Sequence, residues 1–359
     1  MESRLATSPD ASRRSASLDQ FRGYTVAGML LVNFVGGYAA VPAILKHHNT
    51  YCSYADTIMP QFFFAVGFAF RMTYLRRLER DGASAAWSHA AWRNLGLLAL
   101  GIVFHGVDGR VQTWAELTAL GPWGVVEQAF RREPFQTLTH IALSSFWCLP
   151  VIGAESWVRW CFLAISALLH LGLSASGWFA VASGRPVIDG GALGFLSWSI
   201  PVLLGSLTFD ATRREGARAW VWSIVAAIAM MSLGVALSRI GGPTPPPFFP
   251  PDRPLDLWMM SQRTGSISYQ LFAAGFALAV HRLFTALADS AGWTLGIFRT
   301  FGTTALATYL VHGMVFRVFK SYTPKDAPEW FVAISFVAAF TVVYRFARHL
   351  EREGGVIRL

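Results

Sequence analysis

An all-α, polytopic transmembrane helix bundle is the fold class this sequence predicts, and three observations carry that prediction. The 359 residues are 53% hydrophobic and only 14% charged, with 28 Phe and 14 Trp, which is too apolar for an ordinary soluble domain. Apolar runs recur along the chain at the length of roughly 20 residues that a helix needs to cross a bilayer. Arginines gather at the ends of those runs, so the net charge of +9 reads as membrane orientation and not as a nucleic-acid surface.

Taken in order, the runs place helices near 24–44, 56–76, 91–107, 136–154, 157–175, 192–209, 219–238, 265–284, 300–318 and 328–347, about ten spans. The basic clusters alternate between connections: Arg13, Arg14 and Arg22, then Arg76, Arg77 and Arg80, then Arg213, Arg214 and Arg218, then Arg345, Arg348 and Arg352. By the positive-inside rule these four face the cytoplasm, and both termini with them. The chain then divides into a polar basic tail (1–18), a single membrane domain (19–350) and a short cytoplasmic tail (351–359). The first eighteen residues lack the short apolar run and small-residue cleavage site of a signal peptide, so none is expected to be removed.

The segments 45–55, 108–135, 176–191, 239–264 and 319–327 are expected on the opposite side. Segment 108–135, carrying Trp114 and Trp123, has an amphipathic look, whereas PTPPPFFPPDRP at 243–254 is too rich in proline for a helix and is expected to run extended. Cys52, Cys148 and Cys161 are odd in number and have no ligand spacing, which indicates neither a disulfide framework nor a metal site.

Polar residues at the ends of apolar runs are where chemistry is sought. In KHHNTYCSYADTIMPQFFFAVGFAF (46–70), His47 and His48 fall in a connection and Asp56 opens the second span. A charge at the centre of a span costs roughly 2.5–3.5 kcal/mol on insertion scales, so a carboxylate retained at a helix start needs a partner or a function. Asp56 suits a helix start, where it can accept from free N–H groups and complement the dipole. Histidine near neutral pH can take a proton from an amine or hydroxyl, or attack a thioester, with a nearby carboxylate orienting the ring. A catalytic pair and a polar interfacial loop are both open at this point.

Upstream, SLDQFRGYTVAGMLLVNFVGGY (17–38) sets Asp19 and Arg22 at i, i+3 on the entry to the first span, as an orientation anchor or as an element beside an anion, with Asn33 further along among apolar residues. Downstream, Arg71 lies about a turn inside the second apolar run, with Arg76 and Arg77 at its end. Gln262 and Arg263 precede the eighth run, and His312 lies in the ninth.

Together SLDxFRG at 17–23, VN at 32–33, the loop histidines and ADxxxPxFxFxxG at 55–67 resemble the membrane N-acetyltransferases typified by heparan-α-glucosaminide N-acetyltransferase. Weaker echoes follow in PFQTLTHIAL at 134–143 and FGTTALATYLVHGMVF at 301–316, and the D-x-x-R-G-like first span also resembles the acyltransferase type-three superfamily. The resemblance implies that acetyl-CoA enters from the cytosolic side and that a loop histidine passes the acetyl group to a sugar amine on the other face. Carried over by position, that histidine is His47 or His48; the interval to Asp56 is one residue shorter than is usual in the family, so position does not choose, and His47 is preferred. Asp56 and Asn33 take the places of the family's aspartate and asparagine. The family's QR becomes Thr139 and His140, and its later asparagine becomes Thr303 or Thr304, departures that leave the acceptor open.

The expectation is therefore an acyltransferase in the inner (plasma) membrane, moving acetyl from acetyl-CoA to an amine or hydroxyl of an extracytoplasmic sugar or envelope glycan. Expected catalytic residues are His47, His48, Asp56 and Asn33. Asp19, Arg22, Arg71 and Arg76 are expected at the CoA, and His140, Gln262, Arg263 and His312 at the acceptor, with no metal. Expected partners are membrane lipid, acyl-CoA, the glycan and, as one option, a second copy of the chain, but not nucleic acid. The alternative is a proton-coupled transporter or flippase, which the chain does not advertise by internal repeats or paired broken helices.

Overall fold

The computed structural model describes residues 16–106, 111–131, 134–184, 187–213, 217–245 and 247–355. Residues 1–15 with Arg13 and Arg14, Arg214, and 356–359 of the expected tails lie outside the described residues. The helices in chain order are α1 (Ala16–Val35), α2 (Tyr54–Asp81), α3 (Ala83–Gly106), α4 (Trp114–Arg131), α5 (Thr137–Ile152), α6 (Ser156–Leu173), α7 (Phe179–Gly184), α8 (Gly194–Arg213), α9 (Ala217–Ser238), α10 (Ile267–Phe284), α11 (Gly296–Thr303), α12 (Ala305–Ser321) and α13 (Glu329–Arg352), with no strand among the described residues. Among the described residues six helical stretches are long and apolar enough to cross a membrane: Tyr54–Asp81, Ser156–Gly184, Gly191–Arg213, Ala219–Ser238, Ile267–Ser290 and Glu329–Arg352. Thr137–Ile152 is apolar but shorter. The protein is an all-α membrane protein.

Two of the expected boundaries are corrected. The first helix runs over Ala16–Val35 and not 24–44, because its polar entry is satisfied by the segment before α11. Ser17 N–H donates to Asp289 Oδ1 (3.0 Å), Gln20 Nε2 donates to the Leu295 carbonyl (3.1 Å), and Leu295 N–H donates back to Gln20 Oε1 (2.8 Å). Gly36 and Gly37 then end the helix, leaving 36–53 as a connection that contains only the 3₁₀ turn Ala43–Leu45. The run at 300–318 is split at Thr304 (φ −110°, ψ 21°) into α11 and α12. There the Thr303 hydroxyl donates to the Arg299 and Thr300 carbonyls and the Thr304 hydroxyl to that of Thr300, back-bonding that bends or breaks a helix. The 243–254 segment is without helix or strand at its described residues, and the amphipathic stretch becomes α4, kinked at Gly121.

Burial sorts the helices into inner and outer. In α8, 83% of the apolar window is buried, and in α2 and α10 61%, against 28% in α6 and α9 and 22% in α13. The outer helices present Trp157, Leu168, Trp222, Ile228, Trp330 and Ile334 outward, as a lipid-facing surface requires. Lipid removes the hydrophobic drive for helices to associate, so close approach through small residues must supply the contact. The chain does this reciprocally. A Cβ on Gly67 of α2 would run into the Val202 carbonyl of α8, and one on Gly205 of α8 into the Phe64 carbonyl of α2. Gly23 and Gly302 make the same exchange between α1 and α11, and Gly234 and Gly275 between α9 and α10.

At the far end of α2 from Asp56, Arg71 joins four helices. Its Nε and Nη2 donate to Asp210 (3.1 and 3.2 Å) and its Nη1 to the Ile152 carbonyl (2.6 Å), while Arg159 donates to the same carboxylate and to Ser206.

Replacing Gly67 by Ala is expected to lower stability by about 1–3 kcal/mol, as overpacking does. Gly172→Ala on the exposed face of α6, where no atom stands within 4 Å, is expected to be neutral or slightly stabilising. Thermal unfolding of the purified protein in detergent reads both.

Candidate functional site

Ser53 caps α2, and the residue three positions on completes a capping box. Asp56 N–H donates to Ser53 Oγ (3.3 Å) and Ser53 N–H donates to Asp56 Oδ2 (3.0 Å). His48 N–H adds a second backbone contact to Oδ2 (3.3 Å), leaving Oδ1 to His47 Nδ1 at 2.8 Å. Asp56 is thus both a helix cap and a histidine partner. Its side chain is fully buried, whereas that of His47 is 48% exposed, so the pair has a closed acidic side and an open basic one. Because a carboxylate oxygen can only accept, His47 Nδ1 carries the proton and Nε2 keeps its lone pair. Burial pulls the His47 pKa down, but the hydrogen bond and charge of Asp56, helped by Asp189 and by the side chain of Gln262, outweigh it and hold it above its ordinary value.

The two histidines have different work. The His48 ring stacks on Tyr51 (centroids 4.2 Å apart) and its Nε2 donates to the Ala43 carbonyl (2.8 Å), so His48 braces the loop. Further ties fix the same connection: Ser53 Oγ donates to the Lys46 carbonyl (2.7 Å), Phe248 N–H to the Cys52 carbonyl (2.9 Å) and Tyr269 Oη to the Asp56 carbonyl (2.7 Å).

His47 and Asp56 line a cavity of about 470 Å³ together with His48, Asn33, Gln262, Arg263 and His312, all from the expected set. His312 Nδ1 donates to the Tyr309 carbonyl (2.5 Å), which leaves its Nε2 to accept from Asn33 Nδ2 (3.4 Å). His312 thus orients the Asn33 amide and is not itself a free base. A second cavity of about 210 Å³, lined by Arg22, Arg93 and apolar residues of α3, α5 and α12, shares Phe62, Thr137 and Tyr309 with the first. The two abut through those three side chains. Arg22 keeps its pairing with Asp19, at 3.9 Å.

Other expected residues fall elsewhere. Arg71 is taken up by Asp210 and lines neither cavity; Arg76 is exposed beyond it, and Arg77 pairs with Asp81 (3.5 Å). His140 is buried against the Phe135 and Trp198 rings and lines neither cavity, and Thr139 is buried beside it. Thr304 serves the break before α12. Cys52 and Cys148 are buried and Cys161 exposed, all three as free thiols. Among the described residues, no group of three or more His, Cys, Asp or Glu is placed to hold a metal ion.

Two residues of the site escaped the sequence reading. Arg93 sits in the third apolar run and carries the same signal as Arg71, a cation inside a span. Asp189 stands in the connection before α8, at a backbone φ of 55° that side chains rarely adopt, and its only signal was the turn-forming sequence Asp-Gly-Gly. Its Oδ1 accepts from Gln262 Nε2 (2.8 Å) and its carbonyl from Trp198 Nε1 (2.8 Å), and Gly190 N–H donates to the Arg263 carbonyl (2.9 Å). Burial pushes the Asp189 carboxyl up to about 6, against the lowering effect of Gln262 and of His47.

No protein-family model matches the chain, and no curated protein matches it. Its chemistry is therefore read from this geometry.

A carboxyl titrating near 6 when folded and at about 3.9 when unfolded favours the native state most at low pH, and that stabilisation is lost as pH rises from about 4 through 6. Asparagine tolerates the same backbone and can still accept from Gln262. The melting temperature of Asp189→Asn relative to the parent protein is therefore expected to rise between pH 4.5 and pH 7. Scanning calorimetry at the two pH values measures it, and a pH-independent difference would contradict the assignment.

Proposed function

We propose that this chain is an integral membrane acyltransferase of about ten spans, with its termini in the cytoplasm, that moves an acetyl group from acetyl-CoA to an amine or hydroxyl of an extracytoplasmic sugar or glycan. The observation that carries this reading is the His47–Asp56 pair at 2.8 Å, with its open nitrogen on a cavity that abuts a second one holding Arg22 and Arg93. Arg22 and Asn33 stand eleven positions apart on α1, about 16 Å at helical rise, a reach that suits an extended thioester arm. The arginines would meet the CoA phosphates, and the positive-inside rule puts them on the cytoplasmic side.

In the reaction, the acceptor nitrogen or oxygen attacks the thioester carbonyl while His47 Nε2 removes its proton. The charge that develops on the imidazole is stabilised by Asp56, and the N–H of Asn33 not used by His312 donates to the oxyanion. Collapse of the tetrahedral intermediate breaks the C–S bond, and the imidazolium returns its proton to the departing thiolate. An amide or ester and free CoA result. Thioester activation is already present in the donor, so alignment and one proton transfer are what the protein must add.

A transporter is the second reading. Two cavities that meet at a three-residue wall are also what a substrate pathway would need, with His47 and Asp189 as the titrating groups.

Calorimetric titration with acetyl-CoA, together with thioester turnover, tests the proposal. Saturable binding weakened in Arg22→Ala is expected. Turnover should fall about 10²–10⁴-fold in His47→Ala, the range of a general base, and much less in His48→Ala. Because Asp56 raises the His47 pKa, the neutral base accumulates only at higher pH. Asp56→Asn should shift the acid limb of the pH–rate profile to lower pH while lowering its plateau. Folded protein that binds no acetyl-CoA at millimolar concentration, with substrate flux independent of CoA, would replace the enzyme by the transporter.

A further inference from the structure

The cavity beside His47 contains a carboxylate for which the transfer chemistry has no use. Asp56 has its oxygens filled by His47, His48 and Ser53. Asp189 does not: one oxygen accepts from Gln262, and the other takes no hydrogen bond among the described residues although the side chain lines the cavity. Gln262 repeats the pattern. Its Nε2 is engaged with Asp189, while its Oε1 is buried without a partner. Two adjacent acceptors on one wall of a cavity are thus left without donors, an arrangement that costs free energy until something supplies them.

The backbone argues the same way. Asp189 is held in the left-handed region, at φ 55°, and is followed by Gly190 at 83° and Gly191 at 60°. A non-glycine residue in that conformation is strained and persists only where the surroundings over-determine it. Here they do: Trp198 Nε1 donates to the Asp189 carbonyl, Trp178 Nε1 to the Gly190 carbonyl (3.1 Å), and Gly190 N–H to the Arg263 carbonyl. The last of these ties the loop before α8 to the loop before α10, and the two tryptophans hold the former from α8 and from the turn before α7. Their joint effect is to hold the Asp189 and Gln262 side chains together on the cavity wall.

We propose that Asp189 and Gln262 form the acceptor-recognition wall of this cavity, binding a pair of neighbouring hydrogen-bond donors, hydroxyl or amine, on a sugar. The pair binds and positions the acceptor, while His47 remains the base. This inference rests on the reading of the cavity as an acceptor site, yet it concerns binding alone and is measurable without any acyl transfer. The donor-rich face of a sugar fits two acceptors side by side, and a free carboxylate oxygen strengthens each bond it accepts. An anionic ligand group at the same place would meet the carboxylate and be repelled.

The test is calorimetric titration of the full-length protein in detergent at pH 7, with glucosamine and, as its neutral counterpart, glucose. Wild type is expected to bind at least one of the two saturably. Asp189→Asn replaces the free oxygen by an amide nitrogen, which donates and cannot accept, while keeping the backbone, and should weaken that binding about 10- to 100-fold, the effect of losing a hydrogen bond to a charged acceptor. Gln262→Ala should weaken it in the same direction. Melting temperature at pH 7 supplies the control for a merely structural role: the proposal requires sugar affinity to fall in Asp189→Asn without a drop in melting temperature. Equal sugar affinity in wild type and Asp189→Asn, or no binding of either sugar by folded wild type, overturns the proposal. Acetyl-CoA titrated separately reports on the transferase reading. Loss of that reading with retained, Asp189-dependent sugar binding would leave the recognition wall in place on a transporter.

Discussion

The carboxylate of Asp56, buried at the first turn of a membrane-spanning helix, is the constraint around which the rest of the site is arranged. A charge in that position must be satisfied in every direction. The protein does so with backbone donors from Ser53 and His48 and a ring donor from His47. Only the last is a group whose other side can do chemistry. The capping box, which alone would be a local feature of helix geometry, thereby fixes the tautomer of a histidine nine residues upstream. Structural and functional readings of this residue do not compete, since the same oxygens serve both.

Holding that arrangement requires the helices behind it to keep their places without help from water. The reciprocal glycine contacts between α2 and α8 bring two backbones close enough that the start of α2 and the loop entering α8 share a cavity. The contacts of α1 with α11 do the same for the face carrying Arg22 and Asn33. Tyr269 of α10, donating to the Asp56 carbonyl, connects the third inner helix to the same point. Of the three inner helices only α2 lines the cavity; α1, α3, α5, α12 and the loops before α2, α5, α8 and α10 supply the rest, and α6, α9 and α13 supply none of it.

Much of the fold was legible, since a run of apolar residues long enough to span a bilayer allows little besides a helix. The errors fell where local polarity was settled by distant partners. Residues 16–23 read as lying before the first span until Gln20 finds Leu295, 275 positions away, and the break at Thr304 depends on hydroxyls turning back onto their own helix. At the site, His47 and Asp56 were legible because their chemistry and their spacing both pointed at one helix start. The choice between His47 and His48 was not, because it rests on Tyr51 and Ala43 claiming the second ring. Asp189 was out of reach for the same reason, as nothing in its neighbourhood of the sequence announces Gln262 or Trp198.

The arginines make the general point most sharply. Arg71 and Arg93 look alike in sequence, each a cation within an apolar run, and the energetic demand on each is the same: a partner or a polar opening. Arg71 finds Asp210, 139 residues away, and with Arg159 becomes part of a closed ion cluster that ties four helices together. Arg93 lines a cavity beside Arg22 and donates to its neighbour Asn94 (3.2 Å). A buried ion cluster is tolerated when complete and costly when broken, so Arg71 is bound to the scaffold and has no charge to lend to a ligand. Arg22 pairs with Asp19 at 3.9 Å and also lines that cavity. Two like signals in sequence thus separate into structure and site according to whether an acid elsewhere in the bundle comes within reach.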